Sequence, residues 1–107
     1  MRLIIVPADG FVSVDGVGFG GLDLSFMEAS VHAVQWYETH GEIEVKDPVT
    51  GRMVANEVIT SVDAFQPAID VWQTAKTAQD EEIAAWAAAA AAQAADNQPV
   101  TTGSQTL

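Results

Sequence analysis

Residues 2–15 read RLIIVPADGFVSVD, and this stretch decides how the rest of the sequence is interpreted. Aliphatic residues fill positions 3–6, a Pro-Ala-Asp-Gly sequence follows at 7–10, and apolar residues return at 11, 12 and 14. An Asp-Gly pair between two apolar runs is a strong local signal of a β-hairpin. The sequence therefore predicts an antiparallel hairpin over residues 2–15.

Further strands are predicted downstream of a glycine-rich segment. Residues 17–21, VGFGG, are expected to form a tight bend. Residues 31–38 have apolar side chains at both odd and even positions, which is typical of a central strand covered on both faces. Residues 42–46, EIEVK, alternate charged and apolar side chains, which predicts a strand with its apolar residues inward. One more short strand is expected within residues 53–59.

The C-terminal third of the chain predicts one long helix. Ten of the twelve residues from Ala84 to Ala95 are alanine, the strongest helix former, and residues 68–95 contain no helix breaker. Ser61 is a suitable N-cap, whereas Pro67 lacks the amide that a continuous helix uses. Either a short turn precedes a helix that starts near Gln66, or the helix kinks at the proline.

These elements together predict an α+β fold. It consists of a small antiparallel sheet, built from the N-terminal hairpin plus strands near 31–38 and 42–46, followed by a long C-terminal alanine-rich helix. The expected organisation is a small β domain at 1–60, a helix docking in part on the sheet at 61–96, and a flexible polar tail at 97–107. The core is expected to contain the largest apolar residues outside the alanine tract: Trp36, Ile43, Val45, Phe65, Ile69 and Trp72.

One set of helix residues recurs at alternating spacings of three and four, the period of a coiled-coil seam. The set is Ile69, Trp72, Lys76, Gln79, Ile83, Trp86, Ala90 and Gln93. Lys76 and Gln79 form a polar break in this seam. Trp86 needs a covering surface, which is either another molecule or the protein's own sheet if the helix folds back. The candidate protein-interaction residues are Ile83, Trp86, Ala90, Lys76 and Gln79.

The charge of the chain limits the classes of partner that it is expected to bind. Fifteen acidic residues against four basic ones give a net charge of −11, and the basic residues are scattered: Arg2, Lys46, Arg52 and Lys76. Phosphate binding needs clustered Lys and Arg, so direct binding to nucleic acid or to an anionic membrane is not expected. No stretch predicts a signal peptide or a membrane span. The charge favours a less acidic partner.

Nothing in the sequence forms a recognisable catalytic or metal-binding pattern. Cysteine is absent, which excludes thiolate chemistry and Cys-based metal sites. His32 and His40 lack a matching nucleophile or carboxylate motif and are interpreted as a strand and a turn residue. The acidic run at 80–82 points in different directions around a helix. The aromatic pair at 36–37 is interpreted as core rather than as a stacking platform. The sequence predicts a protein that is not an enzyme and has no cofactor or metal.

Several short segments of the first part of the chain, in this order, carry a resemblance to a known group of proteins. They are Ile4-Ile5-Val6-Pro7-Ala8-Asp9-Gly10, Val14-Asp15-Gly16-Val17, Gly21-Leu22-Asp23-Leu24-Ser25, Val31-His32-Ala33-Val34-Gln35-Trp36-Tyr37, Gly41-Glu42-Ile43-Glu44, Asn56-Glu57-Val58-Ile59-Thr60-Ser61 and Phe65-Gln66-Pro67-Ala68-Ile69-Asp70-Val71-Trp72. In these segments the chain resembles small proteins encoded beside the tail-fibre genes of tailed bacteriophages and prophages, described as tail-fibre assembly or tail-associated proteins. The resemblance covers roughly residues 1–76 and carries over no active-site residue.

The resemblance implies a bacteriophage tail or tail-fibre accessory protein that acts by protein–protein binding, either as a virion component or as a fibre assembly chaperone. Its expected partners are a tail fibre or other tail protein, and a second copy of the chain through the C-terminal helix. It is expected in the virion tail, or in the bacterial host cytoplasm during assembly. The alternative is a small acidic phage-encoded inhibitor that imitates nucleic acid against a host defence protein.

Overall fold

The computed structural model describes residues 1–96 and shows a six-stranded sheet followed by one long helix. The predicted polar tail at 97–107 lies outside the described residues. The elements are β1 (Arg2–Val6), β2 (Phe11–Val14), β3 (Val17–Phe19), β4 (Val31–Tyr37), β5 (His40–Val45), β6 (Glu57–Ile59) and α1 (Gln66–Asp96). Every neighbouring pair is antiparallel, in the order β3-β2-β1-β4-β5-β6. The predicted α+β fold class is confirmed. Within residues 1–96, no helix combines the length and the apolar character that crossing a membrane requires.

The N-terminal hairpin is confirmed, with a different connection from the one that the Asp-Gly pair suggested. β1 and β2 pair with Val6 opposite Phe11. The intervening residues Pro7–Asp9 form a 3-10 turn that ends at Gly10, whose φ of 58° lies in the left-handed region. Glycine adopts this conformation without steric cost. The pair therefore closes a four-residue loop rather than forming a two-residue turn.

The second Asp-Gly pair, Asp15-Gly16, forms a two-residue hairpin turn. The prediction of a bend at 17–21 is therefore wrong for residues 17–19, which form a strand. Asp15 and Gly16 have φ values of 50° and 86°, as a type I′ turn requires. They join β2 to β3, the edge strand Val17–Phe19. Gly18 lies within this strand, and the ring of Phe11 packs against it, because an added Cβ would be only 2.7 Å from Phe11 Cζ.

The β4–β5 connection is shorter than expected. Tyr37 pairs with His40, so the turn is Glu38-Thr39 and His40 begins β5 instead of lying in the turn. Gly41 lies inside β5 opposite Trp36, one residue before the predicted start of this strand at residue 42. An added Cβ at Gly41 would be 3.0 Å from Trp36 Cε3 and closer still to the backbone of β4. A side chain at this position would therefore collide first with the Gln35 carbonyl oxygen and then with Trp36.

The core lies on one face of the sheet, beneath the first turns of α1. Trp36, Phe65 and Trp72 are buried as predicted. Three other residues expected in the core are only half-buried: Ile43, Val45 and Ile69. The centre of the core consists instead of four fully buried aliphatic side chains from β1, β2 and β4: Leu3, Ile5, Val12 and Val34. Cross-strand pairing places these four together, because Ile5 lies opposite both Val12 and Val34.

The first turns of α1 are tied to the sheet by Trp72. Its indole Nε1–H donates a 2.7 Å hydrogen bond to the carbonyl oxygen of Val17, and its ring meets Phe19 edge to face. A 3-10 turn at Asp63–Phe65 precedes the helix, which confirms a short turn before Gln66. Residues Met1–Ala75 form one compact unit, and a second unit starts at Lys76.

Trp36→Ala is expected to lower the free energy of unfolding by about 3 to 5 kcal/mol. The reason is that Trp36 is only 5% exposed and packs on Gly41. Since a small domain has a stability of about 5 to 10 kcal/mol, the variant should be marginally folded. Chemical denaturation followed by circular dichroism measures the change. Tyr37→Ala is the control, because Tyr37 lies on the other face at 44% exposure; an equal loss for both variants would contradict the assignment.

Candidate functional site

Four residues of α1 line a shallow depression of about 330 Å³: Gln79, Glu82, Ile83 and Trp86. Spacings of three and four residues place them on one face of the helix. All four lie in the unit that starts at Lys76. We call this group the Trp86 surface.

The Trp86 surface carries two large apolar side chains that face solvent. Ile83 is 56% exposed and Trp86 is 73% exposed. The residues on the C-terminal side of Trp86 are alanines, so a partner backbone can approach the helix closely there. Covering either side chain completely would contribute about 1.5 to 3 kcal/mol. Large exposed aromatic residues of this kind are typical anchors of protein interfaces.

Lys76 does not line the depression. Its Nζ contacts both carboxylate oxygens of Asp80, at 2.5 and 2.7 Å, in an i, i+4 pair. Pairs of this kind on a helix surface contribute about 0.3 to 0.5 kcal/mol. Because Asp80 neutralises Lys76, the polar break in the seam is an ion pair rather than an isolated cation.

The five candidate interaction residues therefore separate into two groups. The structure brings Gln79, Ile83 and Trp86 together around the depression, while Lys76 is paired with Asp80 and the exposed Ala90 lies one turn beyond Trp86. Sequence reasoning missed Glu82 because it lies off the coiled-coil seam. Its position three residues after Gln79 was the signal that could have found it.

A second group of side chains lies on the sheet face opposite the core. The guanidinium of Arg2 lies 4.1 Å from the centre of the Tyr37 ring and donates a 2.7 Å hydrogen bond to Gln35 Oε1. The His40 ring stacks near Tyr37, with a centroid distance of 5.9 Å. The aromatic pair at 36–37 is thus divided between the two faces, with Trp36 buried and Tyr37 exposed.

Neither histidine forms part of a metal-binding group. His32 and His40 are exposed, and within residues 1–96 no cluster of three or more His, Cys, Asp or Glu residues is placed to hold a metal ion. Comparison of the chain with protein-family models, with curated proteins and with solved structures finds no match in any of the three.

Trp86→Ala is expected to change the free energy of unfolding of the dilute protein by less than about 0.5 kcal/mol. The reason is that Trp86 is 73% exposed, and alanine is the better helix former. Denaturation at several protein concentrations measures the change. The matched comparison is Trp36→Ala, the same substitution at a buried site. A large loss in the dilute Trp86→Ala variant would show that the indole packs within the monomer.

Proposed function

We propose that this protein is an accessory protein of a bacteriophage tail, which acts by binding another tail protein and carries out no catalysis. The observation that carries the proposal is the pair of exposed apolar side chains, Ile83 and Trp86, on an alanine-rich helix. The resemblance of residues 1–76 to tail-fibre-region proteins supplies the setting. Within that setting, the Trp86 surface is the assembly contact.

The energetics favour a contact that forms inside an assembly. Burial of Ile83 and Trp86 contributes about 3 to 6 kcal/mol in total. Two free molecules lose about 4 to 15 kcal/mol of translational and rotational freedom when they associate. The Trp86 surface alone therefore supports only weak association in dilute solution. It becomes effective where other contacts already hold the partner nearby.

The charge of the chain favours a tail protein over a second copy as the main partner. Two copies would each bring a net charge of −11 to the contact, and like charges raise the free energy of association. Glu82 at the Trp86 surface adds to this repulsion in a symmetric contact. A fibre or tail protein with less acidic residues at its interface avoids the penalty. A homo-oligomer through α1 would need an arrangement that separates the carboxylates.

The two roles within this function differ in their final location. A tail component stays in the finished particle at a fixed ratio to the other tail proteins, whereas an assembly chaperone leaves it. Quantitative mass spectrometry of purified virions distinguishes them. Presence at a constant ratio supports the component, and absence together with co-purification from infected cells supports the chaperone.

Ile83→Glu combined with Trp86→Glu is expected to abolish co-purification with the fibre or tail protein encoded by the neighbouring gene. The substitutions replace the apolar contact with two carboxylates that a partner would have to desolvate. Co-expression followed by affinity purification measures the association, and sedimentation velocity measures self-association.

The matched control is Ala84→Glu combined with Ala88→Glu. This pair adds the same charge to the same helix, but successive helix residues are about 100° apart, so both positions lie away from the face of Trp86. The control should retain the association. If the Ile83 and Trp86 variant is folded and still co-purifies to the same extent, the Trp86 surface is not the assembly contact.

A further inference from the structure

The sheet unit contains an apolar cavity of about 550 Å³ that lies apart in sequence from the Trp86 surface. It opens between the loop before β4, the strand β5, and the first turn of α1. Most of its lining is apolar: Phe26, Met27, Val31, Ile43, Phe65 and Pro67. We call it the Phe26 pocket. Its volume lies within the range of about 300 to 1,000 Å³ that is typical of ligand-binding sites.

The loop that forms one wall is held in place by the core. Leu24 is 5% exposed and anchors the loop, and the Met27 amide donates a 3.0 Å hydrogen bond to the Leu24 carbonyl oxygen. In a second turn, the Val31 amide donates a 3.0 Å hydrogen bond to the Glu28 carbonyl oxygen. Between these anchors, Phe26 is 51% exposed at the rim. Because the wall is already ordered, a ligand would not have to order it on binding.

Carboxylates lie in or next to the segments that form the pocket. Glu28 lines it directly. Glu57 lies opposite Ile43 in the β5–β6 register, so their side chains share a face. Asp63 begins the 3-10 turn that contributes the pocket residue Phe65. Lys46 follows β5 three residues after Ile43, where strand alternation directs it to the opposite face.

The negative charge near the pocket favours apolar ligands that carry cations over those that carry anions. The N-terminus of α1 carries a partial positive charge that would favour an anion, but Asp63 places a carboxylate in the turn before it. Pro67 also has no amide hydrogen to offer. Glu28 adds a second negative charge in the lining itself. An apolar ligand with a carboxylate would therefore be repelled, whereas one with flanking cations would be attracted.

We propose that the Phe26 pocket binds a large apolar side chain from a basic peptide segment of a partner protein. Phe26 and Ile43 would cover the apolar side chain, and Glu28 would pair with a flanking lysine or arginine. The cavity is larger than a single leucine or phenylalanine side chain, so it also accommodates part of the neighbouring backbone. The contact is independent of the Trp86 surface and of the tail assignment.

The probe is a short capped peptide in which Leu-Phe is flanked on each side by two lysines. It is titrated into the isotopically labelled full chain, and backbone amide shifts are followed by NMR. The shift changes should concentrate at residues 26–31, at 43 and at 64–68. Replacing Leu-Phe with Gly-Gly should weaken binding about tenfold or more. Replacing the lysines with glutamates should remove binding.

Two variants with matched controls test the pocket itself. Ala64→Trp places an indole at the lining and should block the peptide, whereas Ala55→Trp, at an exposed position outside the lining, should not. Glu28→Lys should weaken binding of the lysine peptide about two- to fivefold. Glu81→Lys changes the net charge equally on α1 and should leave binding unchanged. The same spectra report whether each variant is folded.

Three results would overturn the proposal. One is the absence of binding by the lysine peptide at millimolar concentration. Another is equal binding of the lysine and glutamate peptides, or binding of decanoate in place of the lysine peptide, because the pocket would then not select cations. The last is unchanged binding in a folded Ala64→Trp variant. The variant with Ile83→Glu and Trp86→Glu should bind the peptide normally, so failure of the tail assembly contact and failure of this proposal are distinguishable.

Discussion

β1 pairs with β2 on one side and with β4 on the other, and the rest of the structure depends on the apolar face that this pairing creates. Leu3 and Ile5 are fully buried between their cross-strand partners. Phe65, Ala68 and Trp72 cover the same face from the turn before α1 and from its first turns. Burial of this area is the main favourable term in the folding of a chain that contains no cysteine and therefore no disulfide.

The need to cover this apolar face of the sheet also explains which apolar side chains of α1 stay exposed. The first turns of α1 use their apolar residues to cover the sheet, and Trp72 fixes their position through its hydrogen bond to Val17. From Lys76 onward the apolar residues of the helix are mostly alanine, which is helical by propensity and buries little surface. Ile83 and Trp86 are the large exceptions, and both are exposed. The helix residues that stabilise the sheet unit and those proposed to contact a partner therefore lie in different parts of one helix.

Electrostatics gives the two proposed contacts a common character. Glu82 lies at the Trp86 surface and Glu28 at the Phe26 pocket, and each combines an exposed aromatic residue with a carboxylate. The apolar group supplies the free energy of a contact, and the carboxylate selects against acidic partners. With the net charge of −11, both proposed contacts would favour partners that are less acidic than this chain.

Local patterns in the sequence determined the fold class, the N-terminal hairpin, the strands around Trp36 and Ile43, and the long helix. Each of these depends on neighbours a few residues apart, where turn chemistry, alternation and helix propensity act directly. Tertiary structure decided that any side chain at Gly41 would collide with β4, and that the aliphatic residues of β1, β2 and β4 form the centre of the core. It also decided that distant segments enclose the Phe26 pocket. These features depend on which strands are neighbours in the sheet and on how much space is left for a side chain between them. The order of residues along the chain does not specify the pairing of strands or that space.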